Sequence, residues 1–149
     1  ETSILSKTMF CATRSRFRKL KYFLFEKSRP FSTIFRVMKT LFQKILDGEI
    51  PAKIVYKDDY CAAINDINPQ APVHVLIFPI KPIERVSAAG EADAPILAHL
   101  LLAAPKVAEV CGLKDGFRLV INNGKDAGET VPHMHVHLLG GKTLGWPPC

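Results

Sequence analysis

Three of the five histidines in the chain fall within five residues, His133, His135 and His137, each separated from the next by one apolar residue. Read as a strand, a side-chain period of two places the three imidazoles on one face and Met134, Val136 and Leu138 on the other. Such a row has three chemical uses. Three imidazoles can hold zinc with an open fourth position, but alternate strand residues lie about 6.6 Å apart. Ligands to one ion must each come within about 2.1 Å of it, so the outer pair would be strained and no native metal site is expected. Imidazoles with an ordinary pKa near 6.5 can instead act on an anionic substrate as nucleophile, proton donor or stabilising cation. The third use is plain core packing, in which every buried imidazole must find a hydrogen-bond partner. The loop running from Asn122 to Thr130 directly precedes the row. Its Gly124 and Gly128 can turn backbone N–H groups toward a phosphate or serve simply as a connection.

Other elements must hold this row. Thr40 can cap a short helix, LFQKILDG, with Leu41, Phe42, Ile45 and Leu46 on its apolar face and with Gly48 and Pro51 ending it. Strands are predicted over 53–56 and 61–64 around a Lys57-Asp58-Asp59 turn, forming an antiparallel hairpin. The β-branched run 73–78, bounded by Pro79, reads as a buried central strand. A long helix over 94–110 would bury Ile96, Leu97, Leu100, Leu101, Ala104, Val107 and Ala108, with Pro105 predicting a kink or a break. Strands over 117–121 and 132–139 complete the set. Cys61 and Cys111 read as structural thiols, and His99 as a packing or surface residue.

Composition narrows the remaining classes. The 149 residues are 48% hydrophobic and 23% charged, suited to one domain, and four cysteines do not make a disulfide scaffold. No apolar run approaches the roughly 18 residues of a membrane-spanning helix. The net charge of +6 sits at one end: residues 1–37 hold nine basic groups against two acidic ones, and the rest hold 11 against 12. The domain from Met38 onward therefore carries no compositional case for nucleic acid or membrane as a partner. The basic extension 1–37 is rich in Arg, Ser and Phe and lacks a secretory apolar region. Residues 9–31 resemble a mitochondrial presequence, with the alternative that the segment is a non-native tail and the protein cytoplasmic.

The string His133-Met134-His135-Val136-His137-Leu138-Leu139 resembles the histidine-triad motif of the HIT superfamily, His-φ-His-φ-His-φ-φ with φ apolar. FQKILDGEIPAK at 42–53, DINPQAPVH at 66–74, Asn122, Gly128-Glu129-Thr130, Gly140-Gly141-Lys142 and Trp146-Pro147-Pro148 are similar to its HINT branch, the histidine-triad nucleotide-binding proteins. The likeness spans about residues 39–148. It implies an α+β domain of HIT fold at 38–149: a five-stranded antiparallel sheet with one long and one short helix, dimerising into a continuous sheet. The implied activity is cofactor-free hydrolysis of purine nucleoside phosphoramidates and adenylates, of AMP-NH2 or AMP-lysine type, through a nucleotidyl-histidine. AMP and GMP are the implied nucleotides.

Carried over by position, His135 is the nucleophile, His137 orients the phosphate and exchanges protons, His133 supports the tautomer of His135, and His74 stands on the neighbouring strand. Asp66 would bind the ribose hydroxyls, and Ile50, Ile64 and Ile67 the base. Asn122 and Thr130, with Gly128 and Glu129 in the same loop, would face the phosphate or leaving group. Trp146 would shape the leaving-group pocket of the other subunit.

The sequence departs from the branch at Thr130, where Ser is common, at Glu129, where Gln is usual and where a negative charge would stand near a phosphate, at Pro132 and at Cys149. Two alternative functions are kept, a nucleotide-binding scaffold with little turnover and a dinucleoside polyphosphate hydrolase of the Fhit type. Gly140-Gly141 and the Trp-Pro-Pro tail argue against the latter.

Overall fold

A computed structural model describes residues 38–148. The basic extension 1–37 and Cys149 lie outside the described residues. Helix α1 (Leu41–Leu46) begins at a capping box: the Thr40 side chain accepts from the Gln43 N–H, and the Gln43 side chain accepts from the Thr40 N–H. The chain then forms β1 (Ile54–Lys57), β2 (Cys61–Asn65), β3 (Val73–Pro79), α2 (Ala94–Val110), β4 (Phe117–Val120) and β5 (Val136–Gly140). The strands make one antiparallel sheet in the order β1-β2-β3-β5-β4. This is the expected α+β architecture, a five-stranded sheet with one long and one short helix.

The two faces of the sheet are sorted by the period of two. Val75, Ile77, Val136 and Leu138 pack with Cys61 and Ala63 against Leu100, Ala103, Ala104, Val107 and Ala108 of α2. Ala62, Ile64 and Phe78 point the other way and pack on Phe42 and Ile45 of α1, with Phe42 stacked on Phe78 at 4.3 Å between ring centroids.

Four expectations change. Helix α2 runs unbroken through Pro105. Its buried stripe takes in Ala103 and leaves Leu101 half exposed, because the alanines let the helix settle closely on the sheet. Leu41, at the first position of α1, is also exposed, and the helix is anchored by Phe42 and Ile45. The last strand starts at Val136 rather than at 132. Pro132 has no N–H for a ladder, and Pro79 on β3, which the register would set opposite Met134, has none either. His133 therefore lies in a bend, its N–H turned back to the Val131 carbonyl at 2.8 Å, and His135 in the segment leading into β5, pinned by the Met134 N–H to the Ile83 carbonyl at 2.7 Å. Among the described residues, no helix is long and apolar enough to cross a membrane.

Candidate active site

The register of β3 and β5 sets Leu76 opposite His137 and His74 opposite Leu139, so His74 and His137 are diagonal neighbours on the α1 face. Their rings meet, with Nε2 of His74 2.9 Å from Nδ1 of His137. His135 packs edge-on against His137 at 4.9 Å between centroids, and Phe42 lies against the rings of both His133 and His135. The histidine row is thus held from the strand side by β3 and from the helix side by one aromatic ring.

Partner chemistry fixes the protons. Nδ1 of His135 is 2.7 Å from the backbone carbonyl of His133, and a carbonyl only accepts. Nδ1 of His135 must therefore carry the hydrogen, and the neutral ring keeps its lone pair on Nε2. The support expected from His133 comes through this carbonyl and not through its imidazole. That ring is fully buried, with Nε2 at 2.9 Å from the Pro79 carbonyl and Nδ1 at 2.7 Å from the Thr40 hydroxyl. Burial lowers the His133 pKa and keeps the ring neutral.

A second chain of bonds sets His137. The Gln70 N–H donates to Nδ1 of His74, so neutral His74 carries its hydrogen on Nε2 and donates it to Nδ1 of His137. An oxygen of Asp66 lies 3.4 Å from the same Nε2. His137 then holds its own hydrogen on Nε2, a buried atom with no hydrogen-bond partner among the described residues. Burial, followed by the neighbouring His135 and His74, pushes the His137 pKa down to about 4. With both rings neutral, the site presents a lone pair on Nε2 of His135 and an unused N–H on His137.

The other site residues expected from sequence are spread around this core. Asp66 and His74 line a cleft of about 580 Å³ that also takes in Asn65, Pro72 and Val110. One oxygen of Asp66 is already engaged by the Asn68 N–H at 2.8 Å. Ile64 is buried in the α1-side core with Ile50 packed beside it, whereas Ile67 is wholly exposed. Asn122 is half-buried, and Thr130 and Gly128 are exposed on the loop before the histidines, with Gly128 left-handed at φ 78°.

Glu129 departs most from expectation. Its carboxylate accepts from the Gly124 N–H at 2.6 Å and from Arg85 through Nη2 at 3.0 Å and Nε at 3.2 Å. Those bonds, the Gly124 N–H first, lower its pKa. The charge foreseen near the phosphate site is therefore compensated, and the carboxylate closes the loop. Trp146 is 84% exposed at the tail, where the Gly145 carbonyl accepts from Arg118. A larger cleft of about 740 Å³, between Lys114, Arg118 and Lys142, lies apart from the histidines.

Sequence reading missed Arg85, the Thr40 hydroxyl, the Gln70 N–H and the Pro79 carbonyl. Thr40 signalled its capping role alone, and two of the four are backbone groups whose identity leaves no trace in residue type. Among the described residues, Asp66, His74 and His137 are close enough to share a metal ion, yet they already bond one another. The expected His133-His135-His137 row does not form such a group, because the His133 ring turns to Pro79 and Thr40.

Comparison with known proteins agrees with this arrangement. Over 109 residues the chain is 57% identical to an uncharacterised HIT-like protein of Synechocystis, covering 73% of this chain and 96% of that one. A crystal structure of a HIT family hydrolase from Legionella pneumophila superposes with a TM-score of 0.71 at 45% identity, covering 74% of this chain and all of the other. A HIT family hydrolase from Clostridium thermocellum gives 0.70 at 47% identity, covering 73% and 96%. The HIT domain family model matches residues 47–144, from the end of α1 to the tail beyond β5, and with these relatives it shows that the chain belongs to the HIT domain family.

Proposed function

We propose that this protein is a hydrolase that cleaves purine nucleoside phosphoramidates and adenylates to nucleoside monophosphates, with His135 as the nucleophile. The observation that carries the reading is the bond from Nδ1–H of His135 to the His133 carbonyl, which puts the lone pair of the neutral ring on Nε2. In the first step Nε2 of His135 forms a bond to the α-phosphorus as the bond to the leaving nitrogen or oxygen breaks. The leaving group takes a proton as it departs. That proton comes from solvent, while the N–H on Nε2 of His137, which has no partner among the described residues, can donate a hydrogen bond to a phosphoryl oxygen. Hydrolysis of the nucleotidyl-histidine by water then returns the ring.

Asp66 beside the cleft is suited to the ribose hydroxyls, Ile50 and Ile64 to the base, and the loop of Asn122, Gly128 and Thr130 to the phosphate. The exposed Ile67 would close over the base only on binding. The edge strand β4 offers a second copy of the chain a place to extend the sheet, and Trp146 would reach the partner's leaving group from there. The Legionella and Clostridium proteins are described as HIT family hydrolases, which agrees with the reaction class. The cyanobacterial relative is consistent with a cytoplasmic protein and lends the presequence reading of residues 9–31 no support.

The test is AMP release from adenosine 5′-phosphoramidate, with and without EDTA, for the wild type and His135→Ala. Turnover that survives EDTA and vanishes in the variant supports the reading. A wild type that binds AMP without turning over the phosphoramidate would replace it with the scaffold alternative. Cleavage of diadenosine polyphosphate in preference to the phosphoramidate would favour the Fhit type.

A further inference from the structure

The α2 side of the sheet carries a second group of chemistry-bearing side chains, independent of the reaction just described. Asp58 stands in the β1–β2 turn, Cys61 is the first residue of β2, and His99 projects from α2. One oxygen of Asp58 accepts from the N–H groups of Tyr60 and Cys61 at 2.9 and 2.8 Å. The other accepts from the Tyr56 hydroxyl at 2.9 Å and lies 2.8 Å from Nε2 of His99. Cys61 is fully buried, and its thiol lies beside the same carboxylate. One atom from each of the three side chains, a sulfur, an imidazole nitrogen and a carboxylate oxygen, falls within 4.8 Å of the others. Ligands around one tetrahedral zinc ion stand roughly 3.4–3.7 Å apart, given bond lengths of about 2.0–2.3 Å. Side-chain adjustments of about 1 Å would therefore close the group on one ion.

We propose that Asp58, Cys61 and His99 form a binding site for a borderline divalent ion such as zinc, clipping α2 to the β1–β2 hairpin. Mixed sulfur, nitrogen and oxygen ligation suits zinc or cobalt better than magnesium or calcium, which favour oxygen alone. The side chains of Asp58 and His99 are 24% and 27% exposed, so the ion can enter from solvent and keep a water as fourth ligand, while Cys61 closes the site from the core. Binding exchanges protons in a defined way. The metal–sulfur bond forms as the thiol proton leaves to solvent, and the His99 hydrogen moves from Nε2 to Nδ1 to free the ligating lone pair. Asp58 gives up its bond from His99 and takes one to the metal. One proton is released per ion, so affinity rises with pH. The Asp66, His74 and His137 group lacks a sulfur, which makes the two sites distinguishable by spectroscopy.

The test is a titration of the metal-free full-length protein with Co²⁺. A thiolate-to-cobalt charge-transfer band in the near ultraviolet is expected to saturate at one ion per chain. It should disappear in Cys61→Ala and weaken at least about tenfold in apparent affinity in His99→Asn, a change at a half-exposed position that spares the core. Zinc is expected to raise the melting temperature of the wild type and of neither variant. Absence of the band in the wild type overturns the proposal. So does a band that persists in Cys61→Ala, which would assign it to another cysteine, or one indifferent to His99→Asn.

Discussion

On the α2 face, Val75 and Ile77 of β3 with Val136 and Leu138 of β5 close against a stripe of leucine, valine and alanine. On the α1 face, the alternate residues of the same two strands are His74, Leu76 and Phe78 of β3 with His137 and Leu139 of β5, and Phe42, His133 and His135 gather beside them. Dispersion and burial do the work on the first face, where any side chain of suitable volume serves. On the second, each imidazole has one workable hydrogen-bond assignment, and an error in any of them moves a proton to the wrong nitrogen. One strand pair thus carries stability outward on one side and chemistry on the other.

The strongest way to break this division is to exchange the expected consequences. His135→Ala should lower phosphoramidate turnover by at least about 10³-fold, as loss of a nucleophile does, while the protein stays folded at 25 °C. Leu100→Ala, at a fully buried position on α2, should cost about 2–5 kcal/mol by leaving a cavity. It should keep kcat within about threefold at a temperature where the variant is folded. Urea unfolding and steady-state kinetics on both variants provide the check. A large loss of kcat in Leu100→Ala would mean that the faces are mechanically coupled.

Phe42 sharpens the comparison because it belongs to both kinds of surface. Its ring stacks on Phe78 and lies edge-on to His133 and His135. Phe42→Leu keeps most of the volume and loses the flat wall. We expect about 1–2 kcal/mol of destabilisation and a fall of about tenfold or more in kcat with KM little changed, measured on the phosphoramidate. A purely structural Phe42 would leave kcat at the wild-type value.

The sheet was legible because its signals are local. The β-branched apolar run at 73–78, the stop at Gly48 and the helical register at 94–110 each depend on neighbours in sequence, and all three elements formed close to where the pattern placed them. The histidine spacing was legible for the same reason, but the strand drawn through it was too long, since whether β5 can start at 132 depends on Pro79, more than 50 residues earlier. The tautomers were not legible at all. They rest on the carbonyls of His133 and Pro79 and the N–H of Gln70, backbone groups that carry no mark of residue type. Glu129 shows the limit for charged groups: its type suggested a negative charge near the phosphate site, and only the fold brings Arg85 to neutralise it.

Acid should act first on the α1 face. The folded-state pKa of His137 is about 4, below the ordinary value near 6.5, so the unfolded chain binds more protons between those pH values. The contribution is whole above about pH 6.5 and is lost as pH falls toward 4. With allowance for partial solvent screening it is on the order of 2 kcal/mol. Burial shifts His133 in the same direction and adds to the slope. Urea midpoints measured from pH 7 to pH 4 should fall accordingly, and His137→Asn should flatten the curve. An unchanged slope in that variant would place the acid sensitivity elsewhere.

The smallest effect is expected where the two kinds of surface meet, in the loop that Glu129 closes. Its nearly buried carboxylate depends on Arg85 for charge and on the Gly124 N–H for position. Arg85→Ala should leave a carboxylate uncompensated close to His135 and lower kcat roughly tenfold, the effect of losing one charged hydrogen bond. Glu129→Gln keeps an acceptor for Gly124 and removes the charge, so its effect should stay within about threefold. The double variant decides between charge and shape. If Glu129→Gln restores turnover to Arg85→Ala, the arginine serves to neutralise the carboxylate. If the double variant is as slow as Arg85→Ala alone, the arginine holds the loop in place by its own packing, and the α1 face then relies on shape as well as on protons.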